Sequence, residues 1–105
     1  MNIMCKAGFT AMEEAIIYKT EKRIDTRTAP KLSEDLTALA NDGHYNVIID
    51  MSETVYISSV GLRALLAMQK AVMAHEGSMI IRGAGASIRE IFDVTGFSGF
   101  LSLEE

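Results

Sequence analysis

Apolar residues along this chain alternate between two periods. Ala15-Ile16-Ile17-Tyr18-Lys19-Thr20 is short and rich in β-branched and aromatic residues, which predicts a strand, with Lys22-Arg23-Ile24 extending it. Ahead of it, Asn2 to Phe9 predicts a first strand with Ile3 and Cys5 on one face, closed by a turn over Gly8 to Met12. Ala29, Leu32, Leu36, Leu39 and Ala40 then recur at helical spacing. That helix opens at Ala29-Pro30, with Thr28 as its expected N-cap and proline tolerated in the first turn, and Gly43 is its stop. Val47-Ile48-Ile49, ending at Asp50, is a short apolar run bounded by polar residues and reads as a buried strand.

The period changes again after Gly61. Leu62, Leu65, Leu66, Val72 and Met73 mark one stripe of a long amphipathic helix, and Arg63, Ala67, Lys70 and Ala74 mark another. The helix ends near Gly77. Ser78 to Arg82 is the next strand, Gly83-Ala84-Gly85-Ala86 a tight loop, and Ser87 to Thr95 a short helix with Ile88, Ile91 and Phe92 inward and Gly96 as its stop. Phe97, Phe100, Leu101 and Leu103 are the last apolar residues and predict a brief final strand.

Strands alternating with helices imply right-handed crossovers and a parallel sheet. The expected fold is a single α/β domain over residues 1–105, with a mixed, mostly parallel sheet of four to five strands and helices packed against it. The first two strands are expected to pair as a hairpin at one side. In such sheets ligands and partners meet the loops at the carboxyl ends of the strands. Three loops fall on that edge: Asp25–Thr28, Met51–Ser59 and Gly83–Ala86. Each leads into a helix.

Composition narrows the function. Of the 105 residues, 49% are hydrophobic and 23% charged, enough apolar material for one core. A net charge of −4 argues against a general nucleic-acid binder. No apolar run approaches the roughly 20 residues of a membrane span. The N-terminus lacks the apolar core of a secretory signal, and one cysteine permits no internal disulfide, so a cytoplasmic setting is expected. His44, His75 and Cys5 have no metal-ligand spacing, and the histidines are expected at a solvated turn and a helix end. The seven methionines read as core filler. No nucleophile–base pair stands out, and no cofactor is called for.

Ser58 and Ser59 stand where the chain enters the long helix. A hydroxyl there caps free N–H groups, and a phosphate there is stabilised by them. Spacing alone leaves the two serines interchangeable. No capping-box carboxylate competes, because positions 61 and 62 are Gly and Leu. Gly61 permits close backbone approach by a partner. Arg63 lies four residues after Ser59, within reach across one turn. Gly83-Ala84-Gly85 invites a nucleotide-loop reading, but position 88 is Ile where a dinucleotide fingerprint needs its third glycine, so a tight turn is expected.

Ile57-Ser58-Ser59-Val60-Gly61-Leu62-Arg63, preceded by Asp50-Met51-Ser52, resembles the signature of STAS domains, the anti-sigma factor antagonists and their relatives. Arg23-Ile24-Asp25-Thr26-Arg27-Thr28-Ala29-Pro30 is similar to the family's stretch after its second strand, and Ile91-Phe92-Asp93-Val94-Thr95-Gly96-Phe97 to its later helix and turn. The resemblance implies a STAS-like domain that is not an enzyme but the substrate of one. It implies a partner switch: the unphosphorylated domain binds an anti-sigma factor that is a serine kinase and frees the sigma factor. Phosphorylation of the serine two residues before the glycine, Ser59, ends binding, and a serine phosphatase resets it. Family members often carry Asp where this chain has Ser58, which adds Ser58 as a second candidate acceptor. Asp25, Thr26, Thr28, Ser58, Gly61 and Arg63 are the implied partner-binding residues. Many relatives continue past the equivalent of Glu105 into a final helix, so contacts through that helix are not expected of this stretch. Oligomeric state stays open. Two other readings compete: a constitutive STAS subunit of a multiprotein or lipid-transport complex, and a small nucleotide-binding domain using the glycine loop.

Overall fold

The computed structural model describes residues 15–99 and 101–104. The expected first strand, its hairpin, Cys5 and Phe100 lie outside the described residues. The elements run β1 (Ile16–Lys19), β2 (Arg23–Ile24), α1 (Ala29–Asn41), β3 (Asn46–Asp50), β4 (Tyr56–Ile57), α2 (Ser59–Ala74), β5 (Ser78–Arg82), α3 (Ala86–Thr95), a 3-10 turn (Phe97–Gly99) and β6 (Ser102–Glu104). No described helix is long and apolar enough to cross a membrane.

β1, β3, β5 and β6 form one sheet in that order, and every neighbouring pair is parallel. Sheet order follows chain order. Right-handed crossovers that step always the same way put every connecting helix on the same face. Burial agrees. Val47, Ile49, Met79 and Ile81 are fully buried and share one core with Leu32 and Leu36 of α1, Leu62, Leu65, Met68 and Val72 of α2, and Ile88 and Phe92 of α3. Ile48 and Ile80, between them on the opposite face, are only half-buried. The short apolar run at Val47–Ile49 is thus buried on one face rather than both.

Two expectations at the sheet change. Lys22–Ile24 does not extend β1. It turns away at Thr20–Lys22, and β2 pairs in parallel with β4, a strand inside the stretch expected to be loop. Together they make a separate two-stranded ribbon, with Arg23 opposite Tyr56 and Ile24 opposite Ile57. A buried hydroxyl pair secures this departure. Thr54 Oγ1 donates to the Glu21 carbonyl at 2.7 Å and accepts from Thr20 Oγ1, so both hydroxyls are satisfied inside the core.

The helices follow the predicted faces with exceptions. Met73, expected inward, is 62% exposed, while Met51, Met68 and Met79 fill the core. His75 is not simply solvated: it stacks on Tyr45 with ring centroids 3.9 Å apart.

Candidate functional site

The ribbon carries the chain into α2. Ser58 N–H donates to the Ile24 carbonyl at 2.7 Å, fixing the residue before the helix in extended geometry, φ −85° and ψ 171°. Its side chain then turns back, and Ser58 Oγ accepts the Gly61 N–H at 3.2 Å. Ser58 is therefore the N-cap of α2, and it is buried. Ser59 is the first helical residue and is exposed. Among the described residues its hydroxyl has no hydrogen-bond partner. The serines that spacing left interchangeable are split into one structural and one available hydroxyl. Replacing Ser58 by Ala is expected to cost about 1 kcal/mol of unfolding free energy, read by urea denaturation, whereas Ser59→Ala stays within about 0.5 kcal/mol.

Gly61 belongs beneath the surface. A Cβ built on it would sit 2.6 Å from Ile24 Cγ2 and 2.8 Å from Ile57 Cγ1. The missing side chain lets the first turn of α2 lie on the ribbon, so the close approach expected of a partner is made by the protein's own core. Arg63, one turn on, is exposed and makes no ion pair among the described residues. The first turn of α2 holds no acidic residue, so the positive end of the helix faces outward uncompensated.

The Asp25–Thr28 loop is built from its own side chains. Asp25 Oδ1 accepts the backbone N–H groups of Arg27 at 3.0 Å and Thr28 at 3.2 Å. These bonds, the Arg27 amide first, hold the Asp25 carboxyl below the usual carboxylate range, so it is ionised at neutral pH. Thr28 occupies the N-cap position of α1, but its hydroxyl does not cap. It donates instead to the Arg23 carbonyl at 2.7 Å and accepts from Asp25 N–H at 2.8 Å. The Thr28 correction has a simple cause: the ribbon's carbonyl is within its reach, and the Asp25 carbonyl takes the Ala29 N–H at 2.8 Å. Asp25 and Thr28 thus shape the loop, and Thr26 and Arg27 are its exposed tip.

The three expected loops do lie at the carboxyl edge of their parallel strands. The third touches the second: a Cβ on Gly83 would come within 3.0 Å of Ser52 Cβ, and Met51 N–H donates to the Arg82 carbonyl at 2.9 Å. Sequence reasoning missed the exposed apolar residues flanking Ser59. Val55, Tyr56 and Val60 all face solvent, and Arg23 lies over the Tyr56 ring at 4.7 Å. Their signal was apolar residues inside a stretch assigned to polar loop. No group of three His, Cys, Asp or Glu capable of holding a metal exists among the described residues.

The chain is similar to several known proteins. The anti-sigma-B factor antagonist of Staphylococcus aureus is 25% identical over 96 residues, covering 91% of this chain and 89% of that one. BtrV of Bordetella bronchiseptica, provisionally named an anti-sigma factor antagonist, is 30% identical over 74 residues, which span 70% of this chain and 64% of BtrV. The fold matches the Bacillus anti-sigma factor antagonist SpoIIAA, solved in unphosphorylated and phosphorylated forms, with TM-scores of 0.70 and 0.68 at 14% identity. Those alignments cover 94% and 86% of this chain and 84% and 82% of SpoIIAA. The STAS domain model matches residues 9–105, and the chain belongs to the STAS domain family, among relatives named anti-sigma factor antagonists.

Proposed function

We propose that this chain is a protein-binding switch controlled by phosphorylation of Ser59. Unphosphorylated, it binds an anti-sigma factor that is a serine kinase and so releases the sigma factor. Phosphate on Ser59 ends the complex, and a serine phosphatase restores it. The observation that carries this reading is the split between the two serines. Ser58 has its hydroxyl committed to the Gly61 N–H, and Ser59 presents an unengaged hydroxyl at an exposed helix start. A phosphoryl group there would place about two negative charges at a helix start whose first turn holds no acidic residue. Thr26, Arg63, Val60 and Tyr56 form the exposed contact set, and Ser58, Gly61, Asp25 and Thr28 shape it from below.

Affinity purification of the tagged chain from its host, with phosphosite mapping on the recovered protein, tests both halves. The expected result is a co-purifying protein with serine-kinase activity and phosphate on Ser59. Phosphate confined to Ser58, or a stable partner with Ser59 unmodified under every growth condition, overturns it. The latter result favours a constitutive complex subunit.

A further inference from the structure

The face of the sheet opposite α1, α2 and α3 carries a pattern that is complementary to itself. A sheet wound in one direction has all its connecting helices on one side, whereas parallel sheets are normally covered on both. Here no described helix covers the other face. Its middle row is Ile17, Ile48 and Ile80 on β1, β3 and β5, joined by position 102 on β6. Ile17 is 61% exposed. The next row, toward the carboxyl ends, is Lys19, Asp50, Arg82 and Glu104, again in register across all four strands. Its charges read plus, minus, plus, minus. A shallow groove of about 260 Å³ runs over this face, lined by Asn46, Ile48, Ser78, Ile80, Arg82 and Glu104 among others.

We propose that this face is covered by a second copy of the chain. A two-fold axis parallel to the strands, midway between β3 and β5, stacks the two sheets face to face. It reverses strand order while keeping strand direction, so each row meets its own row read backwards. Ile48 of one copy then meets Ile80 of the other, making a shared apolar centre. The charge row reversed reads minus, plus, minus, plus, so Lys19 meets Glu104 and Asp50 meets Arg82, each twice. Read backwards, the row is opposite in sign at every position, and aligned stacking suits the twist of such sheets. Lys19 and Arg82 already hold Glu53 and Glu104 within the chain, at 2.9 and 2.8 Å, so the charged ends are ordered before association. The face is small, and the dimer it supports is weak and concentration-dependent, dissociating in the micromolar to millimolar range.

Sedimentation velocity of the whole chain from about 5 μM to about 1 mM tests this, and the expected result is a monomer–dimer equilibrium within that range. Ile48→Lys, with circular dichroism to check the fold, is expected to weaken dimerisation by at least about 100-fold. Lys19→Glu, a surface change, is expected to weaken it about tenfold, and adding Glu104→Lys is expected to restore it. A chain monomeric throughout overturns the proposal. So does an association that Lys19→Glu leaves unchanged, or one that the double variant fails to recover. None of these results touches the Ser59 reading, which concerns the carboxyl edge of the sheet and not this face.

Discussion

Ser59→Asp is expected to lose capture of the co-purifying kinase by at least about 100-fold, while the variant folds and melts like the parent. Two opposed electrostatic effects produce this. In the free domain the new carboxylate sits on the first residue of α2, where no acidic side chain already meets the helix end. A negative charge there gains roughly 0.3–1 kcal/mol, so stability is unchanged or slightly raised. In the proposed complex the same carboxylate would be covered by the partner and stripped of water. A buried charge without a partner costs about 2–5 kcal/mol, and about 3 kcal/mol already exceeds a hundredfold in affinity. Ser59→Ala is the matching control: it adds no charge, keeps binding and cannot be phosphorylated. Titration calorimetry or surface plasmon resonance with the recovered kinase separates the two variants. Binding of Ser59→Asp within about threefold of the parent would remove the switch from Ser59.

Gly77→Ala is expected to destabilise the domain by about 3 kcal/mol or more, since an added Cβ meets its neighbours more closely here than at any other described glycine. Gly77 links α2 to β5. A Cβ there would stand 1.9 Å from the carbonyl oxygen of Tyr45, with its carbonyl carbon and Cβ at 2.7 Å. The obstacle is backbone, which cannot rotate away as a side-chain end can. That carbonyl also accepts the Ser78 N–H at 2.8 Å, and Gly77 N–H closes the helix on Val72 O at 2.7 Å. Admitting the methyl pushes apart the starts of β3 and β5 at their shared edge. The preceding residue, Glu76, already takes the left-handed conformation at φ 61°, so the turn has little room to adjust. Scanning calorimetry is expected to show a fall in Tm of more than about 12 °C. A shift under about 3 °C would mean that the strand starts move apart more easily than their hydrogen bonding implies.

Much of this architecture was legible before any coordinates. The long elements declared themselves because each has enough residues to repeat a period: α1, α2, α3, β1, β3 and β5 all fall where apolar spacing put them. The ribbon did not. β2 and β4 have two residues each, too few to show alternation, and the partner of Arg23 lies 33 positions away at Tyr56. Their β-branched and aromatic residues were visible, but nothing local says that Ile24 pairs with Ile57 rather than continuing β1. The serine pair failed to resolve for a different reason. Capping depends on which residue takes extended backbone geometry before the helix, and that is set by the Ser58 N–H bond to Ile24, a tertiary contact. Gly61 was noticed for the right property, its missing side chain, but what approaches it is Ile24 and Ile57. Thr28 illustrates the same limit, since a cap donor and a ribbon clasp look identical in one dimension.

The agreement between chain order and sheet order bears on how the molecule can be assembled during synthesis. Among the described strands β1 emerges before the others, and each later strand of the main sheet adds at the same advancing edge: β3 on β1, β5 on β3, β6 on β5. None of the described strands has to be slotted between two that are already paired. Each helix emerges between two sheet neighbours and can settle over them as a unit. Across the described strands no finished seam needs to reopen, and the edge strand waiting at each stage is the one that the next segment covers.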